Sequence, residues 1–119
     1  MSTRTFRITV RGAFDGLADA QRAALQADAA AHDVLRAAFT PEGSLTYDIA
    51  ARPAFVFRFS DTGEEEEDIL EATERAEEAA KAWLTERGYG FKNLRSSAED
   101  LSQAPLSKRQ RRAARFDGA

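Results

Sequence analysis

The chain opens on strict alternation. Phe6, Ile8 and Val10 alternate with Arg7, Thr9 and Arg11, the period-2 pattern of a strand with one buried face. Gly12 and the Phe14-Asp15-Gly16 turn are expected to end it. Leu17, Ala20, Ala24, Ala27 and Ala31 then recur at spacings of three and four, which predicts a helix over residues 18–31 with a mostly alanine core stripe. Alanine lets a helix backbone lie close to a sheet but adds little transfer energy, so larger side chains elsewhere must supply it.

Residues 34–60 read as three short strands. The first, 34–39, joins the second, 45–49, through Thr40-Pro41-Glu42-Gly43-Ser44, where Pro41 presets a turn and Gly43 can close it. In the third, Phe55, Phe57 and Phe59 alternate with Val56, Arg58 and Ser60. These phenylalanines, worth roughly 2–3 kcal/mol each when fully buried, are expected at the centre of the core. A long helix is predicted over 64–87. Thr62 with Glu65, or Asp61, would cap it, and Ile69, Ala72, Ala76, Ala80 and Trp83 would face inward. Gly88 stops it, a strand follows over 89–94, and Ser97 would cap a short turn through Leu101. The order β-α-β-β-β-α-β predicts an α+β fold: a ferredoxin-like sandwich with a mostly antiparallel sheet of four or five strands and two helices on one face.

A length of 119 residues fits one domain, here expected over 1–102, with a basic, loosely ordered tail over 103–119. Zero Cys excludes disulfides, thiolate nucleophiles and thiolate metal sites, and a single His excludes mechanisms built on paired imidazoles. No cofactor and no metal is expected. The N-terminus has no apolar stretch of the kind a signal peptide carries, and no run approaches the ~18 residues of a membrane span, so a cytoplasmic protein without membrane contact is expected. The net charge is −3, but Lys108, Arg109, Arg111, Arg112 and Arg115 stand against only Asp117 in the tail. Removing those five bases and one acid from 17 and 20 leaves 12 bases and 19 acids, so residues 1–107 carry −7.

Within that acidic body, parity sets Arg7, Arg11, Arg58 and Lys92 on the sheet face opposite the helices. Four cations there suit a carboxylate or phosphate ligand, or the rim of a homodimer made by stacking two sheets. Arg87-Gly88-Tyr89-Gly90-Phe91 matches the start of the RNA-recognition signature, yet it follows a long helix, so Tyr89 and Phe91 are expected in the core and nucleic acid is not an expected partner. The run Glu64-Glu65-Glu66-Glu67-Asp68 suits the positive end of a helix and lacks the central Gly of a calcium loop. His32, beside Asp33, is the natural general acid–base, with Tyr47 and Asp48 as the other polar candidates for catalysis.

The stretches Arg11-Gly12, His32 to Tyr47 (HDVLRAAFTPEGSLTY), Trp83 to Arg95 (WLTERGYGFKNLR) and Ala98 to Leu106 (AEDLSQAPL) resemble a family of small actinobacterial proteins labelled only as a domain of unknown function. The resemblance implies an actinobacterial source and a single-domain protein, and no activity, ligand or catalytic residue. Three functions therefore stay open from the residues. The first is a small-molecule binding or accessory protein, for an anionic or polyketide-like ligand on the basic sheet face. The second is a cofactor-independent cyclase, isomerase or hydrolase using His32, Tyr47 or Asp48. The third is an RNA- or partner-binding module using Arg87 to Phe91 and the tail.

Overall fold

The computed structural model describes residues 3–101. In order they form β1 (Arg4–Asp15), α1 (Asp19–Ala27), β2 (Ser44–Tyr47), β3 (Ala54–Gly63), α2 (Asp68–Glu86) and β4 (Gly90–Asp100). Two single 3-10 turns, Ala29–His32 and Val34–Arg36, lie between α1 and β2. The strands make one open sheet in the order β2-β3-β1-β4, and all neighbours are antiparallel. The fold is α+β, and its β-α-β-β-α-β succession is that of the split βαβ motif.

The core follows the alternation. Register sets Ile8 beside Phe59, Val10 beside Phe57 and Gly12 beside Phe55 on one face of the β1–β3 pair. Phe6, Ile8, Val10, Phe55, Phe57 and Phe59 are all buried there. Helix α2 lays Ala72, Ala76, Ala80 and Leu84 on that face, with Ile69 and Trp83 half-buried beside them. Its small residues let the helix approach, while the sheet supplies the aromatic bulk. Gly12 is required by packing. A Cβ there would stand 2.7 Å from the Phe55 ring and 3.1 Å from Leu94, so the ring occupies the space a side chain would need.

Several elements depart from the sequence pattern. Residues 34–39 form no strand: Asp33 accepts the Leu35 N–H at 2.8 Å and closes a 3-10 turn, leaving only Thr40 bridged to Phe59. Among the described residues the sheet therefore has four strands. Helix α1 ends at Ala27, and Ala20, Ala24, Ala27 and Ala31 are exposed while Leu25 alone on α1 is buried. The deciding factor is size, because Leu25 gains far more from burial than any alanine of the expected stripe. Gln21 donates to the Gly88 carbonyl and Tyr47 donates to that of Leu25, so α1 runs from the α2–β4 junction to the end of β2.

Strand β1 continues past Gly12 to Asp15, and β4 continues to Asp100, so Ser97 lies in a strand and caps no turn. Helix α2 starts at Asp68 without the Thr62–Glu65 box. Asp68 instead reaches back to accept the N–H groups of Glu64 and Glu65 at 2.9 and 3.0 Å, and Asp61 pairs with Arg75 at 2.9 Å. Gly88, at φ 74°, terminates α2 as its position suggests.

Candidate functional site

The face of the sheet away from α2 carries a groove of about 880 Å³, well within the range of small-molecule sites. Val56, Ala54 and Ala13 give it an apolar floor on the two central strands. One wall comes from the end of α1 and the 3-10 turns, through Gln26, Ala29, Asp33 and Val34. Charge around it is unbalanced. Among the described residues Arg11, Arg52, Arg58 and Arg95 line the groove against only Asp33 and Asp48, within a body that is otherwise acidic.

The four arginines are held differently. Arg58 on β3 is half-buried and donates from Nη1 to the Thr46 hydroxyl at 2.8 Å. That bond orients its planar fork while its remaining donors stay available. Thr46, buried on β2, faces the same side because it pairs with Val56. Arg11 on β1 lies directly opposite Arg95 on β4, and neither forms an ion pair with a carboxylate among the described residues. Two like charges facing each other across a ladder are unfavourable, and an anion between them relieves the repulsion. Arg52 belongs to the turn that joins β2 to β3.

All four cations expected on the helix-free face share it by register, but only two enter the groove. Arg7 pairs with Ser60 and sets its guanidinium 5.1 Å from the Phe39 ring centre. Lys92 pairs with Ala13 and lies 3.7 Å from the Asp15 carboxylate. Arg95 and Arg52 escape the sequence pattern. Between Arg11 and Ala13 the β1–β4 register shifts, so Asn93 and Leu94 together oppose Gly12. Asn93 takes φ 57° at this bulge, and the extra residue turns Arg95 to the same side as Lys92. An Asn inside a strand pattern is the available signal, since Asn tolerates the left-handed conformation better than most residues.

His32 and Tyr47 do come together. Their rings stack at 5.1 Å, and His32 meets Trp83 edge-on at 6.5 Å. The His32 Nδ1 lies 2.9 Å from the Leu45 carbonyl, and the Tyr47 hydroxyl donates to the Leu25 carbonyl at 2.6 Å. Burial, then the nearby Asp28 carboxylate and Tyr89, push the Tyr47 phenol up to about 12. It therefore stays protonated at neutral pH and serves as a donor to the backbone. Asp48 is exposed and accepts the Ala51 N–H at 3.3 Å within its own turn. What this arrangement does is fasten the α1 end of the chain to β2.

Tyr89 and Phe91 turn to the core side. Tyr89 stacks on Trp83 at 6.0 Å and meets Phe14 at 5.7 Å, while Phe91 pairs with Phe14 and packs against the core. Arg87 folds back 4.0 Å over the Trp83 ring. No base-stacking pair therefore stands on the open face at this motif. The basic tail, from Lys108 to Arg115, lies outside the described residues. No helix among the described residues is long and apolar enough to cross a membrane.

Searches among curated proteins and among solved structures give no match. A family model does match, and it covers residues 1–112, nearly the whole chain. The chain belongs to this family, DUF6204, a family of unknown function.

Proposed function

We propose that the protein binds a small amphipathic anion in the groove on the sheet face away from α2, as a binding or accessory protein. The carrying observation is the facing pair Arg11 and Arg95, without carboxylate partners among the described residues, beside an Arg58 already oriented by Thr46. A carboxylate or phosphate would accept charge-assisted bonds from these forks. The floor of Val56, Ala54 and Ala13 would take an apolar body. Nothing in this reading calls for a metal or a redox cofactor.

The test is calorimetric titration with decanoate and 2-naphthoate as probes, each a single carboxylate on an apolar body. The wild-type chain is expected to bind at least one of them saturably. Arg58→Ala is expected to weaken binding about tenfold or more, the usual cost of losing a charge-assisted bond. Arg7→Ala, on the same face but outside the groove, is expected to leave it unchanged. Equal losses in both variants would replace a defined site with general attraction to a basic face, and no saturable binding by either probe would remove the proposal.

A further inference from the structure

We infer that β4 is the interface through which two copies of this chain join, edge to edge, into one eight-stranded antiparallel sheet. The inference does not depend on what the groove binds, although it shares with the groove Arg95, whose planar fork has donors for both a carboxylate of the second copy and a bound anion. The two edges of the sheet differ sharply. The β2 edge is short, Ser44–Tyr47, while β4 leaves a long edge, Gly90–Asp100, which among the described residues has a partner strand, β1, on one side only. Such an edge presents unpaired backbone donors and acceptors to any strand that approaches.

Charge often blunts an edge of this kind, but here its placement favours self-pairing. Arg95, Ser97 and Glu99 face the helix-free side, because they pair with Arg11, Thr9 and Arg7 on β1. A two-fold axis through Ser97, normal to the sheet, sets β4 antiparallel to its copy over residues 94–100. It brings Arg95 opposite Glu99 of the second copy, and Glu99 opposite Arg95 of the second copy. Directly opposed unlike charges stabilise a ladder, and like charges oppose it. An axis at Arg95 or at Glu99 would instead face like charges, and an axis at Ser96 or Ala98 would set Arg95 or Glu99 opposite Ser97, so of these registers the axis at Ser97 alone pairs unlike charges. Neither Arg95 nor Glu99 has an ion-pair partner within its own chain among the described residues. The bulge at Asn93 marks where the paired segment would stop. Both grooves would then open on the same side of the continuous sheet, because rotation about an axis normal to the sheet keeps each face on its own side.

Sedimentation analysis of the full chain, without added ligand, tests this through charge reversal. The wild type is expected to sediment as a dimer. Arg95→Glu and Glu99→Arg, each alone, set like charges opposite one another at two places and are expected to weaken the dimer at least about tenfold. The double reversal Arg95→Glu with Glu99→Arg restores the pairing and is expected to restore the dimer. Both side chains are on an exposed strand, and unchanged circular dichroism confirms that the single variants fold. A wild-type chain monomeric up to about 1 mM overturns the inference. So does a dimer indifferent to both single reversals, which would point to another surface. Glu99 lies outside the groove, so the Glu99→Arg variant separates the two proposals: it is expected to lose the dimer and keep decanoate binding.

Discussion

Tyr47 is 8% exposed, and its hydroxyl bonds to the Leu25 carbonyl between β2 and α1. Its acidity is displaced from the ordinary 10.0 up to about 12, first by burial. The native state therefore keeps this proton at a pH where the unfolded chain has lost it. The corresponding stability is fully present below pH 10 and falls as pH rises from 10 toward 12, at up to about 1.4 kcal/mol per pH unit. Denaturant titrations between pH 8 and about pH 11.5 should show this decline in the wild type and not in Tyr47→Phe. At neutral pH the same variant leaves the Leu25 carbonyl without its partner and should cost about 1–2 kcal/mol. Gly12→Ala belongs to the same scale: a Cβ 2.7 Å from the Phe55 ring should destabilise the fold by about 1–3 kcal/mol in urea unfolding.

Elements were legible where bulky side chains repeat at one period. Phe6-Ile8-Val10, Phe55-Phe57-Phe59 and Ala72-Ala76-Ala80 each land on the core face as their spacing requires, while Ile69 and Trp83 at the ends of the α2 stripe are half-buried. Legibility failed where the pattern rested on small residues or on one local bond. The alanines of α1 carry too little transfer energy to choose a face, so Leu25 chooses it. Val34 and Leu35, 64% and 91% exposed, sit on a turn closed by Asp33 that no apolar period reveals. Strand β4 runs on past the expected end at 94, and the bulge at Asn93 reverses the parity of every β4 residue beyond it, so Arg95 was hidden while Arg11 and Arg58 were readable. An α1 held by one buried side chain should also open first. Its amides are expected to exchange with deuterium faster than those of α2, and Leu25→Ala should cost about 2–4 kcal/mol while raising that exchange further.

At the scale of the whole molecule, a net charge of −3 conceals a partition. Residues 1–107 carry −7, yet the groove gathers four arginines against two aspartates. Attraction of an anion to such a site is screened by salt, so the affinity for decanoate is expected to fall when ionic strength rises from about 0.01 to 0.15 M, as the Debye length shrinks from about 30 to 8 Å. The fold places the cations by sheet register and not by any contiguous motif, which is why composition alone gives no hint of them. The most direct test is an NMR titration with decanoate that follows the arginine Nε–Hε and valine methyl signals. The groove account predicts that Arg11, Arg58, Arg95 and Val56 shift together along one saturating curve, while His32, Trp83 and Tyr89 stay still. Shifts confined to His32, Trp83 and Tyr89, or no saturable shift at the groove, would contradict it.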